Sequence, residues 1–302
     1  MAVLALSIAS SQTPKHHSHS DKEIPALGSA PAVLWRQPQD IATLDLYYGP
    51  GGPEHQPQGK LTFLEENLKG TQPKFFARDA EGTRWGVKIG PEARAEAAAT
   101  RILWALGYFA DEEYYLAELP LKGSPNLKRG REYSQDGKAT MVRMKRYDKH
   151  THKVGFWKWD QNPFVGTREL NGLKVIMELM NNTDFKTEHM VIYDVDGKEE
   201  RYMVKDLGAT FGRAGAGYFN KTKGKLSDYE KTDLIRQTDG DYVDFWVFKH
   251  VPRADAKWAG ELAAQLTDKQ LTDAFRAGGF SEREIEGFMA KWKLKVSELK
   301  RL

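Results

Sequence analysis

The chain has 302 residues, 40% hydrophobic and 29% charged, a mix that supports a substantial apolar core in one large domain or two smaller units. Its formal net charge of +3 is spread over well-mixed signs and does not point to a nucleic-acid partner, and no run reaches the ~20 apolar residues that span a bilayer. The absence of cysteine excludes disulfides, thiolate metal sites and cysteine nucleophiles.

Residues 1–30 read as a disordered tail or the remnant of an export signal. Val3 to Ala9 form a short apolar run, followed by Ser10 and Ser11, without a positive stretch before it. Taken as the back half of a signal, the run implies export to a periplasmic or extracellular location; taken as a polar tail, it leaves the protein cytoplasmic. Residues 31–59 carry five prolines and four glycines and read as an irregular surface segment, anchored by Trp35, Tyr47 and Tyr48.

From Leu61 the texture changes. Leu61–Leu64, Phe75–Arg78 and Arg84–Ile89 read as strands, with a Lys69–Lys74 loop between the first two. Pro91 to Leu106 has helical apolar spacing, a first-turn proline and a stop at Gly107. Tyr114–Leu121 and Thr140–Arg146 follow as extended pieces. Thr167 to Met180 then carries Leu170, Leu173, Ile176, Met177 and Met180 at helical steps. Two short strands, Met190–Asp194 and Arg201–Lys205, are joined by a turn at Asp196-Gly197. Gly212 to Gly224 reads as a mobile Gly- and Lys-rich segment, with Lys221, Lys223 and Lys225 in solvent. The last forty-odd residues read as helices capped by Thr267 and Ser281. The division this suggests is 31–146, β-rich with one helix, then 147–302, largely helical: an α+β chain in two lobes.

Four segments carry chemistry. Asp184, Lys186 and His189 lie in one short loop between a helix and a strand. A carboxylate there can orient an attacking hydroxyl, and a lysine two residues on can offset charge on a moving phosphoryl group. Asp206-Leu207-Gly208 ends the second hairpin strand, 22 residues after Asp184, where a carboxylate can reach Mg²⁺. Lys88 sits in an otherwise apolar strand and needs a partner if buried; Glu96 on the next helix is the preferred one, with Glu92 as the alternative. Gly70-Thr71-Gln72-Pro73-Lys74 can cover phosphates with its backbone N–H groups and Lys74. Singly, each motif is an ordinary turn or strand feature; their order and spacing together point to phosphoryl transfer.

These residues resemble the protein-kinase-like superfamily. Asp184-Phe185-Lys186-Thr187-Glu188-His189 is similar to the kinase loop Asp-Leu-Lys-Pro-Glu-Asn, Val87-Lys88 to the end of the Val-Ala-Ile-Lys strand, and Asp206-Leu207-Gly208 to Asp-Phe-Gly. The Gly70–Lys74 loop resembles that of HipA-type kinases more than Gly-x-Gly-x-x-Gly, and the framework resembles uncharacterised bacterial kinase-like proteins. The resemblance covers residues 60–215. It implies a two-lobed protein-kinase-like fold, with ATP and Mg²⁺ or Mn²⁺ as cofactors. In that frame Gly70, Thr71, Lys74, Lys88 and Glu96 hold nucleotide, Asp184 and Lys186 act in catalysis, and Asp206 and His189 bind metal. The phosphoacceptor is an unidentified protein or small-molecule hydroxyl. Two departures stand out: His189 replaces the metal-binding asparagine, and no Ala-Pro-Glu follows Asp206. They leave a second reading, a catalytically inactive pseudokinase that binds nucleotide or protein.

Overall fold

Apolar alternation builds the first half of the molecule. The computed structural model describes residues 30–122, 126–182, 184–213 and 222–302. The expectations for residues 1–29, and for most of the Gly212–Gly224 segment, lie outside them. Strands β1 (Ala32–Val33), β2 (Leu61–Glu66), β3 (Lys74–Arg78) and β4 (Arg84–Ile89) precede helix α1 (Glu92–Ala105); β5 (Glu113–Lys122), β6 (Ser134–Gln135) and β7 (Lys138–Arg146) follow it. A six-stranded sheet runs β4-β3-β2-β5-β7-β6, and a β4–β7 pairing closes its first five strands into a ring. Side chains on alternate residues of each strand point to one face, so Phe75 and Ala77 from β3, and Trp85, Val87 and Ile89 from β4, share a buried cluster with Tyr114, Leu119, Val142 and Met144.

Helix α1 is alanine-rich and buried along nearly its whole length. It ends at Gly107, whose φ of +88° suits glycine, and where a Cβ would run into the carbonyl of Arg36.

The second half adds β8 (Thr151–Phe156), α2 (Arg168–Leu179), β9 (Met190–Val195), β10 (Glu199–Val204), α3 (Leu226–Tyr229), β11 (Gln237–Asp239), β12 (Tyr242–Asp244), β13 (Val251–Pro252), α4 (Arg253–Ala263), α5 (Asp268–Ala277) and α6 (Glu282–Lys300). The predicted hairpin is β9–β10, and it is the centre of a four-stranded sheet β1-β10-β9-β8. Thr167 caps α2 by accepting from the Leu170 amide at 3.2 Å. Thr267 and Ser281 each form a full capping box, with Gln270 and Glu284 returning the bond. The helical end begins at Arg253, earlier than its periodicity suggested. No helix among the described residues is long and apolar enough to cross a membrane.

The 31–59 segment is held differently from expectation. Trp35 does anchor it, donating to the Leu106 carbonyl at 2.7 Å and packing edge-on to Trp258, but the fully buried anchors are Leu34, Ile41 and Leu46, and Tyr47 is exposed. Tyr47 and Tyr48 contribute backbone rather than rings: their carbonyls accept from Arg101 of α1 at 3.1 and 3.5 Å. The segment also reaches α5, where the Gln270 amide donates to the carbonyls of Ile41 and Leu44.

Candidate functional site

Strand phase creates the site. Trp85, Val87 and Ile89 turn into the apolar cluster, so Gly86 and Lys88 face the other way. Lys88 lies between Lys74 of β3 and Arg143 of β7 in the ladder register, which sets three cations side by side. Only 3% of Lys88 is exposed.

A buried ammonium of that kind needs carboxylates. Lys88 Nζ lies 2.8 Å from Glu96 Oε2 and 3.2 Å from Glu92 Oε2, and pairs directly with Asp206 Oδ1. The two glutamates are four residues apart and therefore on one face of α1, so both partners weighed from the sequence are engaged. Burial works against the charged lysine, but Glu96 and Asp206 outweigh it and hold the Lys88 pKa above the ordinary lysine value.

Asp206 follows β10 in a left-handed conformation, φ +57°. Its second oxygen lies 3.3 Å from His189 Nε2. Burial pushes its carboxyl up, but Lys88 and then His189 pull it well below the usual carboxylate range. Gly208, two residues on, packs against Glu92, with room for no side chain: a Cβ would sit 2.8 Å from the Glu92 Cβ.

The loop after α2 brings the remaining groups. Asn182 is fully buried, and its side-chain oxygen accepts from the Asp184 amide at 3.0 Å, which fixes the start of the loop. Thr183 lies outside the described residues. Lys186 Nζ donates to Asp184 Oδ2 at 3.2 Å. The His189 ring stands between two carboxylates, with Nδ1 at 3.7 Å from Asp184 Oδ1 and Nε2 toward Asp206.

Gly70, Thr71 and Lys74 form one wall of a cavity of about 540 Å³, and Lys88, Asp184, Lys186, His189 and Asp206 form another. Gly70 has φ +72°, and its carbonyl accepts from Arg129 Nη1. Burial lowers the Lys74 pKa, with Asp206 drawing it back and Lys88 adding to the fall. A neighbouring cavity of about 220 Å³ shares Lys74, Lys88, His189 and Asp206 and is also lined by Glu96. All nine residues singled out from the sequence therefore meet around these two adjoining spaces.

Several charged groups here were not picked out by sequence. Arg143 Nη2 donates to Glu96 Oε1 at 3.0 Å. Asp111 holds Lys145 at 2.9 Å and Lys205 at 3.5 Å, and Lys205 donates to the Tyr193 hydroxyl at 2.6 Å. Burial pulls the Lys145 ammonium down to about 8, with Asp111 opposing and Lys205 adding to the fall. Lys223, expected in solvent, pairs instead with Glu92. Lys225 is mostly exposed and pairs with Asp228 at 3.3 Å; Lys221 lies outside the described residues. Unlike Lys88, Lys145 and Lys205 stand in no motif that names a partner, and only the fold brings them to Asp111.

As a metal site the donor set is incomplete by itself. Among the described residues no three His, Asp or Glu side chains cluster to hold an ion. Asp206 and His189 do converge at one wall of the cavity, which suits a divalent ion that takes its other ligands from phosphates and water.

No family model matches the chain, and no curated protein matches it. Among solved structures, the Helicobacter pylori proinflammatory kinase CtkA is similar over 80% of this chain and 93% of its own, with 13% identity and a TM-score of 0.48.

Proposed function

We propose that the chain is an ATP- and Mg²⁺-dependent, kinase-like phosphotransferase acting on a protein or small-molecule hydroxyl. The frame of this reading is a two-lobed kinase-like fold divided between residues 31–146 and 147–302. One observation carries it: Lys88 from β4 is gripped by Glu96 of α1 and meets Asp206 at the cavity that Asp184 and the Gly70–Lys74 loop also line. A strand lysine paired to a helix glutamate, beside a metal-binding aspartate, is the pairing that kinase catalysis requires.

In this reading the backbone around Gly70 and Thr71, with Lys74, covers the phosphates, and Lys88 contacts the α- and β-phosphates. The acceptor hydroxyl oxygen attacks the γ-phosphorus while the bond to the β–γ bridging oxygen breaks and ADP leaves. Asp184 orients the hydroxyl and takes its proton; Lys186 offsets charge on the transferring group. Asp206, with His189 beside it, would hold the divalent ion, which when bound neutralises charge on the phosphates. Histidine is a better ligand for Mn²⁺ than for Mg²⁺, so both ions belong in the test.

Purified protein incubated with γ-labelled ATP and either ion, beside Asp184→Ala and Asp206→Ala, tests the reading. Label transferred by the wild type, and reduced roughly 100-fold or more in both variants, is the expected result. Absence of any transfer or ATP consumption above the variants overturns it. Transfer from α-labelled ATP instead would mean nucleotidyl transfer. A second reading, a pseudokinase that binds nucleotide or a protein without turnover, is favoured by His189 standing where kinases place a metal-binding asparagine and by the missing Ala-Pro-Glu after Asp206. Nucleotide-dependent thermal stabilisation without label transfer would establish it.

A further inference from the structure

The Lys88–Glu96 pair has a second support. Glu96 is 1% exposed and its two oxygens are divided between two cations: Oε2 faces Lys88 at 2.8 Å, and Oε1 accepts from Arg143 Nη2 at 3.0 Å. Arg143 sits directly across from Lys88 in the β4–β7 ladder. Its Nε lies 3.4 Å from Glu113 Oε1, and Glu113 Oε2 accepts from the Thr100 hydroxyl at 3.0 Å. Thr100 is one turn beyond Glu96 on α1. The buried chain Lys88–Glu96–Arg143–Glu113–Thr100 thus touches α1 twice and three strands, β4, β7 and β5. The first turn of α1 has a further tie, since Arg94 pairs with Glu284 at 2.8 Å.

We infer that Arg143 is a positioning residue for Lys88, holding Glu96 and α1 in place so that Lys88 can turn toward a phosphate without stranding a buried carboxylate. This inference rests on the phosphotransferase reading. The physical reason is charge balance. Lys88 faces three carboxylates, and when its ammonium moves to a phosphate, Glu96 would be left buried without a cation. The guanidinium stays on Glu96, and its planar, always-charged fork reaches Glu96 through Nη2 while Nε stands beside Glu113. In kinases the lysine–glutamate pair is the contact that activation-loop phosphorylation and helix position control. Here Arg143 holds the glutamate of that pair from β7, the strand that pairs with β4. Glu113 suits this role as a support rather than a competing anion: burial pushes its carboxyl up to about 7, with Arg143 drawing it back and Glu96 adding to the rise.

The test compares affinities of the unmodified full chain and its variants for Mg–ATP and for adenosine, which has no phosphate for Lys88 to bind. Arg143→Met combined with Glu113→Gln removes a matched pair, limiting damage to the fold, and Arg143→Lys is the conservative companion. The expected result is a roughly 10- to 100-fold loss of ATP affinity in the double variant, little change for adenosine, and an intermediate loss for Arg143→Lys. Unchanged ATP affinity in the variants, or an equal loss for ATP and adenosine, would overturn the inference alone. A wild-type chain that binds no ATP would overturn the phosphotransferase reading and the inference with it. Should the double variant not fold, Arg143→Lys decides by the same ATP-to-adenosine ratio.

Discussion

Two buried lysines divide this molecule. Lys88, on β4, is 3% exposed, and Lys295, on α6, is 1% exposed. Lys88 meets Glu92, Glu96 and Asp206, and its ammonium is held above the usual lysine range. Lys295 meets the Leu179 carbonyl at 3.5 Å and the face of the Tyr229 ring at 4.4 Å, with no carboxylate in contact among the described residues. Burial, with Lys291 adding to it and Glu178 opposing, pulls Lys295 down to about 7. The same side chain at the same depth therefore has opposite proton affinities. Burial sets the penalty and the partners decide whether it is outweighed. A buried lysine among several carboxylates keeps its charge. A buried lysine whose nearest acids are out of contact is drawn toward its neutral form.

The largest expected effect comes from removing the first of the two. Lys88→Met leaves Glu92, Glu96 and Asp206 converging on an apolar side chain. Breaking a buried ion pair on one side typically costs about 3–5 kcal/mol; the partial exposure of Asp206 and the remaining Arg143 contact place this variant toward the lower figure. On the proposed phosphotransferase function, label transfer from ATP should fall at least ~100-fold, since a charge-stabilising group is lost. Thermal melts and the transfer assay read the two effects separately. A variant as stable as the wild type would mean that the carboxylates do not depend on Lys88, and the contrast with Lys295 would collapse.

Removing the second lysine should act in the opposite direction. Lys295→Met replaces a poorly compensated ammonium by an apolar chain of similar length. The stacking on Tyr229 returns part of the penalty, so the gain below pH 7 is about 1–3 kcal/mol, or a rise in Tm of roughly 2–5 °C. The pH dependence supplies the sign. Lys295 releases its proton near pH 7 in the folded chain and near 10.5 when exposed, so between those values the unfolded chain binds more protons and wild-type stability rises with pH. At 1.36 kcal/mol per pKa unit the rise has an upper limit on the order of 5 kcal/mol. Melts from pH 6 to 9.5 should show the wild type approaching the variant. A variant less stable than the wild type at pH 6 would show that Lys295 is better compensated than its contacts indicate.

The contrast also explains what sequence could and could not reveal. Strands β2 to β5 and helix α1 were readable because their periodicity is local, and the caps at Thr267 and Ser281 because their partners Gln270 and Glu284 lie three residues on. The two-residue strand Ala32–Val33 was not, because it has no period and its partner, Glu200–Arg201, is distant in the chain. Lys88, Asp184 and Asp206 stood out because a known motif order surrounds them. Arg143 did not, although it shares Glu96 with Lys88. An arginine in a strand normally reads as an exposed edge, and its burial follows only from Glu96 and Glu113 arriving on other elements. Lys295 was invisible for the same reason: helix α6 is amphipathic, and a lysine in it reads as solvent-facing until Leu179 and Tyr229 pack over it.

The smallest effect sharpens the account of Lys295. Glu178 is the group that most raises the Lys295 pKa, yet its Oε1 is already committed to the amides of Val247 and Phe248, at 2.5 and 3.0 Å. Burial raises the Glu178 carboxyl, with those amides and Lys295 drawing it back. Glu178→Gln keeps an oxygen for both amides and removes only the charge. Two signatures follow. A carboxyl whose folded pKa is raised loses stability as pH climbs past its ordinary value of 4.5, so the variant should lack that decline on the acid side. Without the nearby anion, Lys295 falls below 7, and the alkaline rise in stability should begin at lower pH than in the wild type. Each change is within about 1 kcal/mol, read as a displaced pH profile of Tm. An alkaline rise that does not move would mean Glu178 offers Lys295 no long-range compensation, leaving Lys295 more isolated still. A rise that disappears would mean Glu178 is the partner that keeps the amine charged, and the two buried lysines would then differ in degree rather than in kind.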